Sequence, residues 1–210
     1  MPAPNENRFR RRGASRHTRR WLIVSEDLKS SSHYLKRFFP NSRWANFDIV
    51  GGAGNTLSVV ERAIQLNQDA KRERRPYIHT WCVFDRDDHP PGRFNDAIQV
   101  AQSQKNFTAI WSNEAFELWY LLHFDYHQSS LSRHELNRKL TSYLGKDYSK
   151  SDESVYDRLM QNDGAQLDVA LKNAERLMSD RRSPQRNPSL NVHVMIRRIL
   201  QIKEGLGEDW

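Results

Sequence analysis

Apolar residues in the first 125 positions fall into short blocks separated by helix-length stretches. Trp21-Leu22-Ile23-Val24 is the first block, bounded by Ser25-Glu26-Asp27, and it reads as a buried strand. Residues 27 to 39 then carry Leu28, Tyr34, Leu35, Phe38 and Phe39 at helical spacing, with Pro40 as the stop. Asn46 to Val50 is a second strand ending at Gly51-Gly52, and Asn55 or Thr56 can cap a helix that repeats Leu57, Val60 and Ile64 through about Arg74. Ile78 to Phe84 is a third strand. Phe94, Ala97, Ile98 and Ala101 mark a helix, Phe107 to Trp111 a fourth strand, and Ala115 to Phe124 another helix. Four strands alternating with helices predict a parallel sheet covered on both faces. Continuous apolar strands agree, since both of their faces are then buried.

Beyond about residue 130 the pattern turns helical. Leu136, Leu140, Tyr143 and Leu144 share one face, Leu167 to Met178 form an i, i+3, i+4, i+7 stripe, and Val192, Met195, Ile196 and Ile199 form another. Arg181 to Leu190, with Pro184 and Pro188, reads as a connector. The predicted organisation is a basic flexible arm at 1–20, an α/β domain at 21–128 with a parallel four-stranded sheet flanked by helices, and a helical subdomain at 129–210.

Charge changes this picture at one place. The net charge is +7, yet residues 1 to 20 alone hold Arg8, Arg10, Arg11, Arg12, Arg16, Arg19 and Arg20 against a single acid, Glu6. The body is therefore near neutral, and the leader is an arm suited to phosphates or another negative partner. Cys82 stands alone in an apolar run, which excludes an internal disulfide or a cysteine zinc site. No apolar run is long enough to span a membrane and no secretory h-region opens the chain, so cytoplasmic location is the expectation and no membrane partner is.

The candidate chemistry lies at strand ends. The third strand runs as Trp81-Cys82-Val83-Phe84 straight into Asp85-Arg86-Asp87-Asp88, and the first ends at Glu26. Ligands of open α/β sheets bind beyond the carboxyl ends of the strands. If the two strands are neighbours, four acids meet on one rim. On an extended chain Asp85 and Asp87 point the same way, about 6.6 Å apart at ~3.3 Å per residue. Like charges at that spacing repel by about 2.5 kcal/mol at an effective dielectric of 20. A hard divalent cation, Mg²⁺ or Mn²⁺, would relieve them. Glu117, set in the apolar run Phe116 to Leu122, also needs a partner and could reach the metal or orient a ligand. His89 is read as a turn residue, and His123, Asp125 and His127 as a polar loop. Gly51-Gly52-Ala53-Gly54 lacks the Lys-Ser/Thr of a phosphate-binding P-loop and reads as a strand-to-helix turn.

Glu26 after the first strand and Asp85-Arg86-Asp87 after the third resemble the motif of a TOPRIM domain, the Mg²⁺-dependent module of topoisomerases, bacterial primases and OLD-type nucleases. More narrowly, the chain is similar to the RloB-like family of TOPRIM proteins in LIVSED (22–27), GNTLSVVERA (54–63), WCVFDRDDH (81–89), FNDAIQVAQ (94–102), WSNEAFELWYLLHF (111–124) and NPSLNVHVMI (187–196). It departs from the common Cys-Glu-Gly at the first motif, reading Ser25-Glu26-Asp27. The resemblance implies metal-dependent phosphodiester cleavage in DNA or RNA, in prokaryotic defence against phage or mobile DNA. Relatives are often encoded beside restriction systems or ABC-type ATPases, so an ATPase partner is implied as well as nucleic acid. Asp85 and Asp87 would hold metal, Glu26 would hold metal or act as general acid/base, and Asp88 and Glu117 are candidates for a second ion. Lys29, Arg86 and Arg93 would counter phosphate charge at the rim, while the arginines of the arm add affinity without base reading. The alternative is a non-catalytic module that keeps the fold and binds nucleic acid or an ATPase.

Overall fold

In the computed structural model, residues 19–39, 45–86, 91–180 and 183–205 are described. In chain order the elements are β1 (Arg19–Ser25), α1 (Ser30–Phe38), β2 (Ala45–Val50), α2 (Thr56–Arg72), β3 (His79–Asp85), α3 (Pro91–Ser103) and β4 (Phe107–Asn113). They continue with α4 (Glu117–Leu121), α5 (Arg133–Leu144), α6 (Val155–Gln161), α7 (Leu167–Asp180), β5 (Ser189–Leu190) and α8 (Val192–Lys203). The sheet runs β2-β1-β3-β4-β5, and the first four strands are mutually parallel. Its strand order reverses direction between β1 and β3, a parallel pair that sets Val24 beside Cys82 and Ser25 beside Val83.

The strands' unbroken apolar runs split by side-chain alternation into two cores. Trp21, Ile23, Trp81, Val83 and Ile110 face one side, where they join α1, α4, α5, α7 and α8 in one buried cluster. Leu22, Val24, Cys82, Phe84, Ala109 and Trp111 face the other, packed under α2 and α3. Cys82 is free and buried, and burial pushes its thiol up to about 12, so it acts as a small apolar residue. The helices of the C-terminal third close over the first face and share its core with the sheet.

Three expectations are corrected. The sheet has five strands and is mixed, because Ser189–Leu190, inside the expected connector, pairs antiparallel with Ser112 and Asn113. A two-residue strand carries no readable period; side-chain hydrogen bonds hold it. Asn191 Nδ2 donates to the Ala109 carbonyl at 2.9 Å, and the Trp111 amide donates to Asn191 Oδ1 at 2.7 Å. The helix expected over 115–124 is the single short segment α4, begun at Phe116 with no side-chain cap, while Ser112 and Asn113 belong to β4. His123 lies in the turn after α4, as expected, but it is fully buried, and its Nδ1 hydrogen-bonds the Trp119 carbonyl at 2.9 Å. The cap on α2 is Asn55, whose side chain accepts from the Ser58 amide.

Candidate active site at the carboxyl ends of β1 and β3

β1 and β3 lie side by side, and their carboxyl ends are stitched together. The Glu26 amide donates to the Val83 carbonyl at 3.0 Å, and the Asp85 amide donates to Glu26 Oε2 at 3.2 Å. On the far side of β3, the Arg86 amide donates to the Ser112 carbonyl at 2.8 Å. The ladder hydrogen bonds thus carry one residue past each strand and fix Glu26 and Asp85 against each other.

The turn after Glu26 is shaped by short polar side chains. Ser30 Oγ donates to the Asp27 carboxylate at 2.9 Å, and Ser31 Oγ donates to its other oxygen. Ser32 Oγ donates to the Asp27 carbonyl at 2.7 Å. The Asp27 side chain thereby engages the start of α1, which gives the extra acid of Ser25-Glu26-Asp27 a local partner set. The β2–α2 turn packs directly against this one. A Cβ on Gly51 would lie 2.2 Å from Ser32 Oγ and 2.6 Å from the Asp27 carbonyl oxygen, so only glycine permits the approach. Gly52, at φ +73°, sits under Leu28, which is left exposed at the rim.

Glu26, Asp27, Ser31, Phe84, Asp85 and Lys150 line a cavity of about 180 Å³. Burial holds the Asp85 carboxyl well above the usual carboxylate range; Glu117 raises it further, Lys150 opposes, and Asp27 and Glu26 add to the rise. Glu117 is fully buried on α4. Its Oε1 accepts a hydrogen bond from Tyr148 Oη at 2.7 Å and lies 3.5 Å from Lys150 Nζ. Its Oε2 is buried and has no hydrogen-bond partner among the described residues. Burial, then the Glu117 charge, pushes the Tyr148 phenol far above its ordinary value, so it stays protonated and donates. Tyr120 is shifted the same way, and its Oη donates to the Ser30 carbonyl at 2.6 Å.

The residues expected at the site divide into three groups. Glu26 and Asp85 are together, and Glu117 acts on Asp85 electrostatically from α4. Asp87 and Asp88 lie outside the described residues, as do Arg8, Arg10, Arg11, Arg12 and Arg16. Among the cations, Lys29 is exposed at the N-cap of α1, Arg93 is exposed on α3, and the Arg86 guanidinium lies 5.8 Å from the centre of the Phe94 ring. Arg19 and Arg20 open β1, at the end of the sheet away from the acids. Arg20 is engaged within the fold: its guanidinium binds the Asp48 carboxylate, Tyr77 Oη at 3.0 Å and the Arg75 carbonyl at 2.7 Å.

Sequence reasoning missed Tyr148 and Lys150. Both come from the polar stretch between α5 and α6 and meet Glu117 there, with Lys150 also lining the acidic cavity. Nothing in the local pattern of Asp147-Tyr148-Ser149-Lys150 marks them; only a glutamate set in the apolar run Phe116 to Leu122 signals that a donor and a cation must come from elsewhere.

Among the described residues no three His, Cys, Asp or Glu side chains converge as a metal-holding group. The donors that are present suit a hard divalent cation: all are carboxylate oxygens, Asp85 is crowded by like charge, and Glu117 Oε2 is an orphaned buried acceptor. Among the described residues, Glu26 and Asp85 could contribute to holding such an ion, with Glu117 behind them.

Among the described residues, no helix is long and apolar enough to cross a membrane. A family model described as RloB-like protein matches residues 21–199. No curated protein and no solved structure matches the chain.

Proposed function

The chain belongs to the RloB-like family, and from that premise we propose that it is a Mg²⁺- or Mn²⁺-dependent nuclease of TOPRIM type, cleaving phosphodiester bonds in DNA or RNA in prokaryotic defence. The observation that carries this reading is the junction of Glu26 and Asp85, acids from strands distant in sequence whose side chain and amide meet at 3.2 Å. Glu26 and Asp85 would hold the cation together with Asp87, two positions on in the chain, with Asp88 and Glu117 as candidates for a second ion. When bound, the metal supplies Lewis-acid polarisation of a phosphoryl oxygen and a water of lowered pKa. Glu26, half-buried at the cavity wall, is the chain's own candidate to accept a proton from that water. Lys150, in the same wall, can offer its ammonium to the phosphate oxygens, with Lys29 and Arg93 farther out to balance the backbone charge.

Lys150 also favours a second reading. An ammonium already among the acids can substitute for a metal, which would suit a non-catalytic module acting with an ATPase partner or binding nucleic acid. The deciding experiment incubates plasmid DNA and tRNA with the wild type and Asp85→Ala in Mg²⁺ or Mn²⁺, beside metal-induced thermal shifts for both proteins. Cleavage lost in the variant supports the nuclease. A carboxylate-dependent thermal shift with no cleavage favours the module. Equal cutting by both proteins removes the acids from the chemistry.

A further inference from the structure

The amino end of the sheet carries a charge opposite to that of the acids. Lys71, Arg72, Arg74 and Arg75 crowd the end of α2, and every residue from Lys71 to Pro76 is exposed. The run lies beside the start of β1. The Arg20 guanidinium donates to the Arg75 carbonyl at 2.7 Å, and the Ile78 amide donates to the Arg20 carbonyl at 2.8 Å. Residues 1–18, which hold Arg8, Arg10, Arg11, Arg12 and Arg16 against Glu6, therefore join the fold at this same corner. β3 has 7 residues, so the corner and the acids at its far end are about 20 Å apart, at ~3.3 Å per residue.

Helix stability does not account for this charge. Cations in the last turn of a helix complement its dipole, which explains Lys71 and Arg72 but not Arg74 and Arg75 beyond it. Arg74 holds φ +58°, a left-handed backbone that normally selects glycine or asparagine after a helix, so an arginine stands there against local preference. The nearby acids are also already engaged. Arg72 pairs with Asp69 at 3.0 Å, Arg75 with Glu73 at 2.7 Å, and Arg20 with Asp48. Lys71 and Arg74 are left as net positive charge. The exposed large apolar side chains Leu28, Tyr143, Met160 and Val194 all lie on other segments. A corner rich in cations and poor in apolar surface suits a phosphate backbone, with its one negative charge per ~1.7 Å of duplex axis. It does not suit a protein interface built around an apolar centre.

We propose that the corner formed by Lys71, Arg72, Arg74 and Arg75 is a nucleic-acid docking surface, which grips the phosphate backbone together with the arginines of residues 1–18. Contacts of this kind position a nucleic acid without reading its bases. The surface rests on the reading that nucleic acid is the partner, but it is separate from the acidic cavity and binds without cutting.

The test uses the full chain in EDTA, where metal-dependent cleavage is off. It follows the fluorescence anisotropy of a labelled duplex of about 20 base pairs, as DNA and as RNA, from about 50 to 200 mM salt. Lys71→Gln with Arg74→Asn removes the unbalanced pair, asparagine being at home in the left-handed backbone. The control, Lys36→Gln with Lys172→Gln, removes the same charge from exposed positions on α1 and α7, which pack on the other face of the sheet from α2. The α2 variant should lower the slope of log affinity against log salt by about 2, close to one per lost phosphate contact, and weaken binding about tenfold or more near 100 mM salt. The control should leave both unchanged. A fall in slope no larger than the control's overturns the proposal. So does displacement of the duplex by polyglutamate as effectively as by unlabelled duplex at equal charge, which would assign the corner to an acidic protein. The two readings fail separately. Binding lost through the α2 variant, with no cleavage in Mg²⁺, keeps this surface and removes the nuclease. Cleavage that depends on Asp85, with binding indifferent to the α2 variant, does the reverse.

Discussion

Tyr148→Phe tests how the helical third of the chain completes the acidic site. The substitution keeps the ring and its packing and removes one oxygen. That oxygen donates at 2.7 Å to the Oε1 of Glu117, a carboxylate with no exposure to water. With the phenol gone, Glu117 keeps only Lys150 at 3.5 Å, and its Oε2 is already without a partner among the described residues. A hydrogen bond to a charged group contributes about 1.5–3 kcal/mol. For a chain of this length, each kcal/mol moves the melting temperature by about 2–4 °C. The variant should therefore lose about 1.5–3 kcal/mol in urea unfolding followed by tryptophan fluorescence, and melt roughly 3–12 °C lower, both in EDTA. If Glu117 faces a metal, saturating Mg²⁺ should narrow the gap, since the cation neutralises the same carboxylate. A loss below about 0.5 kcal/mol, the size of an ordinary surface substitution, would refute the claim that Tyr148 satisfies a buried charge.

Three further outcomes follow from the same geometry. Lys150→Met removes the one side-chain cation that lines the acidic cavity among the described residues. It should cost roughly 1–3 kcal/mol in EDTA, reduced from a fully buried pair because the lysine is partly exposed, and enlarge the Mg²⁺-induced rise in melting temperature; an unchanged Mg²⁺ response would refute competition between ammonium and metal. Asn191→Ala breaks two side-chain bonds to β4 and should cost about 2–4 kcal/mol by urea unfolding, whereas a loss near zero would show β5 held by other means. His79, His123 and His193 each have a folded pKa lowered from 6.5 to about 4 by burial. Their contribution is fully present above pH 6.5 and is lost as pH falls through about 4, because the unfolded chain binds those protons first. Stability should fall by up to about 1.4 kcal/mol per pH unit per histidine in that window, and His123→Gln should flatten the slope by about one proton.

The departures from the sequence reading have a common cause. A run such as Trp21 to Val24 shows that a strand is buried on both faces, because period two is hidden when both sides are apolar. It does not show which helices cover which face; that division appears only when Trp21 and Ile23 meet α1 and α8 while Leu22 and Val24 meet α2 and α3. β5 is invisible for a different reason. Two residues, Ser189 and Leu190, have no period, and the asparagine that pins them acts on strand residues 80 and 82 positions earlier.

Read alone, the sequence determined the alternation of strand and helix through α3 and β4, the parallel run of the first four strands, the arginine-rich first 20 residues, and the acids at the ends of the first and third strands. These are local properties: burial periodicity, charge density and the residues that end a strand. Tertiary structure alone decided that β1 and β3 are neighbours, that Glu26 accepts the Asp85 amide, and that Tyr148 and Lys150 reach Glu117 from a segment about 30 residues downstream of it. Those contacts depend on how the crossovers wind and on where the last helices settle. No spacing within the chain encodes a distance between residues that only folding brings together.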